Sequence, residues 1–298
     1  MMNPRAHWAM LLGAWAVSGC ASAEPAPKGD GDGGALEIRH IRSATVLLTS
    51  KKAGRDDIRI LVDPILADQG TEPPIEYSND LPNPRIALPI DKNQLVKSVH
   101  AILLTHYHSD HFDGEAERIL PKDILIFCQP YDEGQLRKKG FVNLRVVRDV
   151  VHWEGLTVSR YRASHYHGAT GAPPFGESSS FFVQNNTDGV FFTGDAILDD
   201  QLTKSLHAAQ PKTVVANTGE CQFSKENPLL APGATMTLTA AELKEMSRTL
   251  PHSKIVAVHM DAINHCQLTK RALRSYIENE KLGDHILVPN EGDTVLLR

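Results

Sequence analysis

The amino-acid sequence predicts an α/β fold, because short buried strands are followed by polar loops and helices along the chain. Residues 99–104 form an apolar run that is too short for a helix, and a polar loop and the helical segment 114–120 follow it directly. Strands and helices also alternate in the second half of the chain. With 298 residues, 41% of them hydrophobic, the sequence can bury a substantial core.

The first predicted elements are strands. Residues 36–48 and 58–62 are β-rich and are separated by a short polar segment, which suits a hairpin or two adjacent strands. Residues 66–93 are rich in Pro, Asn and Asp and have no clear period. We interpret them as a functional loop that forms one wall of a pocket, with Tyr77 near the substrate.

The middle of the chain continues the α/β pattern. Residues 124–128 form the next strand, residues 131–139 a short helix that ends at Gly140, and residues 156–161 another strand. A hairpin is predicted from residues 181–183 and 190–193, because the turn residues 186–189 lie between them.

The last elements alternate again before the chain closes. Strands are predicted at residues 213–216, 255–259, 286–289 and 294–297, and helices at residues 239–249 and 268–279. Thr239 is a plausible N-cap for the first of these helices.

The N-terminal residues 1–19 are predicted to be an export signal, with a basic start and an apolar stretch too short to span a bilayer. Cys20 and the residues before it resemble the bacterial lipobox, which implies a lipid on Cys20 and, with Ala21, anchoring at the outer membrane facing the periplasm. A plain secretory peptide cut near residues 21–23 is the alternative. Residues 20–35 are predicted to be a flexible tether, so the folded domain comprises residues 36–298.

Charge and cysteine content restrict the class of protein further. A formal net charge of -5 gives no basic surface for a nucleic-acid partner. Apart from Cys20 the chain has Cys128, Cys221 and Cys266, an odd number without CxxC spacing, so no disulfide framework is predicted. Cys128 ends an apolar run and is expected in the core.

A cluster of metal-binding side chains directly follows the buried strand at residues 99–104. It contains three imidazoles and one carboxylate within six residues: His106, His108, Asp110 and His111. Open α/β sheets place their ligands at such strand ends, and imidazole with carboxylate suits Zn, Mn or Fe. A solvated loop that happens to be rich in histidine is the alternative interpretation.

The six residues match the His-x-His-x-Asp-His signature of the metallo-β-lactamase superfamily, and the family's other motifs follow in order over residues 36–298. The resemblance implies a four-layer αββα sandwich and two divalent ions, zinc in the first place, with a hydroxide between them. It implies that the first ion is bound by His106, His108 and His165. It assigns the second to Asp110, His111 and His259, with Asp195 bridging and Asp63 supporting the ligand loop.

Several of these residues have competing interpretations. His167 lies two residues beyond His165 and faces the same side of an extended chain, so it is the alternative ligand. Asp63 before Pro64 could be only a turn residue. His265 is a candidate catalytic group beside Asp195 and Asp110, with a capping or surface role equally open. Tyr166 and His167 are candidates for the substrate pocket.

True β-lactamases of this fold have Cys or Ser where this chain has Asp195, so the resemblance implies another hydrolase. Residues 60–66 and 216–223 are similar to the branch of ascorbate-phosphate lactonases and N-acyl-phosphatidylethanolamine phospholipases D. We therefore expect a phosphodiester or lactone, small or lipid-derived, as substrate. An iron-dependent oxidoreductase similar to persulfide dioxygenases, or a non-catalytic metal-binding lipoprotein, is the alternative. The loop at residues 168–178, with Phe175, is expected to shape specificity.

Overall fold

The computed structural model describes residues 34–167, 176–228, 230–231 and 233–297. The predicted export signal, Cys20, residues 20–33 of the tether, and residues 168–175 with Phe175 lie outside this range. No helix in the described ranges combines the length and apolar character that a membrane span requires.

The described residues form two seven-stranded mixed sheets. The strands of the first sheet are β1 (Leu36–Arg42), β2 (Thr45–Ser50), β3 (Ile58–Val62), β4 (Ala101–Leu103), β5 (Leu125–Cys128), β6 (Leu144–Val146) and β14 (Thr294–Leu296). Their order across the sheet is β14-β1-β2-β3-β4-β5-β6. Strands β14 to β3 pair antiparallel, and β3 to β6 pair parallel.

The second sheet repeats this plan. Its strands are β7 (Val150–Trp153), β8 (Leu156–Ala163), β9 (Ser178–Gln184), β10 (Gly189–Phe192), β11 (Thr213–Asn217), β12 (Lys254–Val258) and β13 (Ile286–Leu287). Their order is β13-β12-β11-β10-β9-β8-β7. Strands β7 to β10 pair antiparallel, and β10 to β13 pair parallel.

Helices cover the outer face of each sheet. The helices are α1 (Lys92–Ser98), α2 (Gly114–Ile119), α3 (Glu133–Lys138), α4 (Asp200–Ala209), α5 (Ala240–Thr249) and α6 (Lys270–Asn279). The first three pack on the first sheet and the last three on the second, through two separate apolar clusters. A third cluster, with Phe127 and Phe181, fills the space between the sheets. The predicted four-layer αββα sandwich is thereby confirmed.

Alternation along the central strands explains why the layers form. In β10, Val190 and Phe192 face the other sheet while Phe191 faces the helices. In β4, Ile102 faces the helices while its two neighbours face the other sheet. Both faces of these strands are buried, so they read as continuous apolar runs, as strands between two layers do.

Two features differ from the elements expected. The apolar run at residues 36–48 is two antiparallel strands, because the chain turns at Ser43, whose φ of 52° is left-handed. Helix α1 begins at Lys92, at the end of the predicted loop 66–93. Asp91 caps this helix by accepting a hydrogen bond from the Gln94 backbone N–H.

Candidate metal centre

The candidate centre lies where the carboxyl ends of strands from both sheets meet. The first sheet contributes the loop after β4, and the second contributes the residues after β8, β10 and β12. The buried or half-buried side chains that converge there are His106, His108, Asp110, His111, His165, Asp195 and His259. The structure thus brings together all seven residues that the sequence pattern singled out as metal ligands.

A glycine is required immediately before Asp195. Gly194 has a φ of 57°, in the left-handed region. A Cβ at this position would lie 2.7 Å from the Ser179 carbonyl oxygen and 2.9 Å from Thr105 Cβ. The chain can therefore turn from β10 into the site only with glycine here, which explains the Gly-Asp pair of the motif.

Three imidazoles form the first donor group, which consists of His106, His108 and His165, with ligand atoms within 4.8 Å of one another. His165 Nε2 lies 3.3 Å from His108 Nδ1. The buried His106 Nε2 has no hydrogen-bond partner among the described residues. Burial, together with the charges of His111 and His108, lowers the pKa of His106 well below its ordinary value. Its ring is therefore neutral, which is the form that binds a metal ion.

The second donor group consists of Asp110, His111, Asp195 and His259, again within 4.8 Å. His259 Nε2 lies 3.1 Å from His111 Nε2, which in turn lies 3.2 Å from Asp195 Oδ1. Burial alone would raise the pKa of Asp110 and Asp195, but the surrounding histidines lower both well below the ordinary value. Both carboxylates are therefore ionised.

Asp195 lies between the two donor groups. Its Oδ1 faces His111, while its Oδ2 is 3.9 Å from His165 Nε2 and 4.0 Å from His106 Nε2. A carboxylate with one oxygen toward each group has the arrangement of a bridging ligand.

The donor chemistry fits metal ions. Ring nitrogens of different histidines face each other at 3.1 and 3.3 Å, a spacing at which two lone pairs repel unless a proton or a cation lies between them. The orphaned His106 Nε2 belongs to the same convergence of donors. Imidazole nitrogen with carboxylate oxygen suits zinc, manganese or iron, so these groups could hold divalent ions.

Outer residues orient the donors. Asp63 Oδ2 lies 2.9 Å from His111 Nδ1, and Asp63 also accepts hydrogen bonds from the backbone N–H and the hydroxyl of Thr105. The expected supporting role of Asp63 therefore has a geometric basis. His165 Nδ1 lies 3.0 Å from the Met236 carbonyl oxygen, which leaves Nε2 for the site.

Sequence reasoning missed Asn217, whose Nδ2 donates to Asp195 Oδ1 at 2.8 Å. It ends β11, the strand beside β10, and that position at a parallel strand end was the signal that could have revealed it.

The competing candidates separate clearly. His167 is half-exposed, and its Nε2 lies 3.1 Å from Glu242 Oε1, away from the donor groups. Tyr166 is buried and stacks on His165, with ring centroids 5.2 Å apart. Neither residue is among the described residues that line the cavity at the site, contrary to the expectation for both.

His265 does line that cavity. It is buried, and its Nε2 lies 3.8 Å from Asp110 Oδ2, so a surface role is excluded. Burial lowers the pKa of His265 to about 4. Its ring is therefore neutral at pH 7 and lies close enough to contact a bound substrate.

The cavity has a volume of about 450 Å³ and opens above the donor groups. Residues 72–77 form one wall, as expected for the loop 66–93, and Tyr77 is among them. Phe223 faces Tyr77 edge-on, with ring centroids 5.6 Å apart. This volume is that of a small-molecule site.

A disulfide joins Cys221 to Cys266, although the sequence predicted no disulfide framework. The odd cysteine count misled because Cys128 is buried and free while the other two pair across 45 residues. Both sulfurs lie beside His259 of the second donor group, at 3.6 and 3.4 Å from its Nδ1. The disulfide therefore packs directly behind the second donor group.

Comparison with known proteins covers this whole region. Residues 58–260 match the family model described as the Beta-lactamase superfamily domain. UPF0173 protein YddR of Bacillus subtilis (strain 168) is 30% identical over 263 residues, 87% of this chain and 99% of that protein.

Two solved structures are similar over nearly their full lengths. An isothiocyanate hydrolase from gut bacteria of Delia radicum shares 30% identity at a TM-score of 0.78, over 87% of this chain and 98% of its own. A possible metal-dependent hydrolase from Veillonella parvula DSM 2008 shares 26% at a TM-score of 0.79, over 89% and 100%. All seven candidate ligands lie within the residues matched by the family model.

Proposed function

Because the chain belongs to the metallo-β-lactamase-fold superfamily of metal-dependent hydrolases, we propose that it binds two divalent ions and hydrolyses an ester-type substrate. The observation that carries the proposal is the pair of adjacent donor groups with Asp195 between them. Non-catalytic storage of one ion would need only one such group.

The residues that would hold each ion follow from the two groups. His106, His108 and His165 suit one ion, and Asp110, His111 and His259 suit the other, with Asp195 shared. When bound, two divalent ions lower the pKa of a water molecule to near neutrality and offset charge that develops on the attacked group.

The chain's own residues orient the reaction. The Asn217 amide holds Asp195 Oδ1, so the carboxylate is fixed and Oδ2 can accept the proton of the attacking water. His265 lies beside Asp110 in the cavity wall, where it can contact the developing oxyanion or the leaving group. Tyr166 stacks on His165 and is not among the described residues that line the cavity, so we assign it no contact with the reacting groups.

For an ester or a lactone, the water oxygen forms a bond to the acyl carbon and the carbon–oxygen bond to the leaving group breaks. The proton held at Asp195 then passes to the leaving oxygen, which gives an acid and an alcohol. Asp195 stands where β-lactamases of this fold have Cys or Ser, and this supports an ester rather than a β-lactam.

An isothiocyanate is the second candidate substrate, favoured because one similar structure, 30% identical over 87% of this chain, is an isothiocyanate hydrolase. One water adds to the central carbon of R–N=C=S, and cleavage of the carbon–nitrogen bond releases the amine R–NH2 and carbonyl sulfide.

The test is metal content per chain together with turnover of a lactone, bis(p-nitrophenyl) phosphate and an aryl isothiocyanate. We expect two zinc or manganese ions per chain and turnover that a chelator abolishes. Asp195→Asn should lower kcat by at least about 100-fold, and the exposed Asp284→Asn serves as the matched control. One redox-active iron would favour an oxidoreductase, and no metal would favour a non-catalytic protein.

We also propose that the protein is exported and anchored to the bacterial outer membrane by a lipid on Cys20. The Cys221–Cys266 disulfide supports export, since disulfides persist in oxidising compartments. A lipid-labelled N-terminal Cys20 in the mature protein is the expected result, and an unmodified N-terminus beyond Cys20 would refute the anchor.

A further inference from the structure

Apart from histidines, the described residues that line the cavity at the candidate metal centre carry no basic side chain. Among the described residues that line it, none is lysine or arginine. The charged lining residues outside the donor groups are all acidic, namely Glu72, Glu76 and Asp113. Enzymes that bind phosphate esters commonly add arginine or lysine to contact the anionic oxygens. The described lining offers no such contact.

Apart from Glu72 and Glu76, the wall formed by residues 72–77 is apolar or aromatic. Pro73, Pro74 and Ile75 lie along it, and the edge-to-face pair of Tyr77 and Phe223 continues it. Ile263 lies in the same lining and is buried. Such a surface favours a substrate group that loses little hydration when it leaves water.

Hydrogen bonds keep this wall in place. The Ile75 backbone N–H donates to Asn264 Oδ1 at 2.9 Å, and Asn83 Nδ2 donates to the same oxygen at 3.0 Å. The Asn264 backbone N–H returns a bond to Asn83 Oδ1 at 2.9 Å. Asn264 precedes His265, which also lines the cavity. The hydrogen bonds therefore fix the position of this wall relative to His265.

We propose that the natural substrate is an uncharged carbon electrophile with an apolar substituent, such as an alkyl lactone, rather than an anionic phosphodiester. The reaction in this proposal rests on the hydrolytic function proposed above, whereas the selectivity is inferred from the lining of the cavity. Ring opening of the lactone consumes one water and gives a hydroxy acid, whose new negative charge is repelled by Glu72 and Glu76. The same charges therefore favour release of the product.

Binding is tested first, with unreactive ketones that resemble the lactone. 2-Pentylcyclopentanone is compared with an analogue of equal chain length whose tail ends in a carboxylate, by calorimetry on the metal-loaded full chain. We expect the uncharged ketone to bind about tenfold more tightly, because each carboxylate of the wall repels the added charge. Tighter binding of the carboxylated ketone would overturn the proposal whatever the turnover shows.

Turnover is tested with γ-nonalactone, its tail-carboxylated analogue and bis(p-nitrophenyl) phosphate. Glu76 is exposed at the mouth of the cavity, so Glu76→Lys reverses one charge there. The ratio of kcat/KM for the uncharged lactone to kcat/KM for its carboxylated analogue should fall about threefold in this variant at low salt, and less at high salt. Glu278→Lys makes the same charge change on the exposed face of α6 and should leave the preference unchanged.

The outcomes separate the two proposals. If the wild type hydrolyses either anionic substrate faster than the uncharged lactone, the proposed substrate class is wrong, while the proposed hydrolytic function is supported. If none of these substrates is hydrolysed while the uncharged ketone still binds more tightly, the proposed selectivity of the cavity is supported and the proposed ester hydrolysis is wrong.

Discussion

Asp63 orients the imidazole of His111 in the second donor group. Its carboxylate contacts His111 Nδ1 and also holds the Thr105 backbone and hydroxyl. Because His111 Nδ1 is engaged, Nε2 is the nitrogen left for a metal ion. The burial of the Asp63 side chain shields this pair from water, so its geometry is not averaged by solvent.

We therefore predict that Asp63→Asn weakens metal binding about 10-fold to 100-fold, since the amide is a poorer acceptor for the imidazole N–H. A competition titration with a chromophoric chelator measures the affinity. Asp56→Asn changes an exposed carboxylate of the same chain and should have no effect. Equal affinities for both variants would show that Asp63 only shapes the turn before Pro64.

At this scale the sequence was informative where donors are contiguous or end a strand. His106 to His111 form a compact motif, and Asp195 follows a Gly whose conformation only glycine adopts easily. Asn217 and Thr105 could not be assigned, because their roles depend on partners from other strands. His165 and His167 are indistinguishable by period, but in the structure His165 is buried in the first donor group while His167 contacts Glu242.

Among the elements, the loops after β11 and β12 are held together by the Cys221–Cys266 disulfide. Gly219 lies at their contact. A Cβ there would be 2.4 Å from Cys221 Sγ and 2.5 Å from the His259 carbonyl oxygen, so only glycine permits the approach. The disulfide thus connects two loops that lie beside the second donor group.

Loss of this disulfide should lower the free energy of unfolding by about 4 kcal/mol, the loop-entropy value for a separation of 45 residues. Urea unfolding of the double variant Cys221→Ala, Cys266→Ala measures the loss. The free energy of unfolding of the wild type in reductant should match that of the double variant, with or without reductant. If reduction of the disulfide leaves the wild-type free energy of unfolding unchanged, the disulfide does not stabilise the fold.

The elements that the sequence did not predict share a weak pattern. Strands β6 and β7 are the edge strands of their sheets and are only partly buried, so neither forms an apolar run. Helix α4 buries only Leu202, Ser205 and Leu206, too few for a clear stripe. The central strands were found because both of their faces are buried.

In the whole molecule, the donor groups join the two sheets. The loop after β4 of the first sheet supplies His106, His108, Asp110 and His111, and the second sheet supplies His165, Asp195 and His259. Each group takes residues from both sheets. Neither sheet alone can therefore form a complete site, and metal binding must favour the packed sandwich over any state in which the sheets separate.

This arrangement predicts that metal binding and global stability are coupled. At free zinc about 1,000 times the dissociation constant, one site adds about 4 kcal/mol to the free energy of unfolding. Urea unfolding at increasing free zinc measures the gain. The variant His108→Ala, His259→Ala removes one donor from each group and should lose most of it, whereas His207→Ala, on the exposed face of α4, should not. If zinc stabilises the wild type and the double variant equally, the ion binds elsewhere, and the sheets are held together only by the apolar cluster between them.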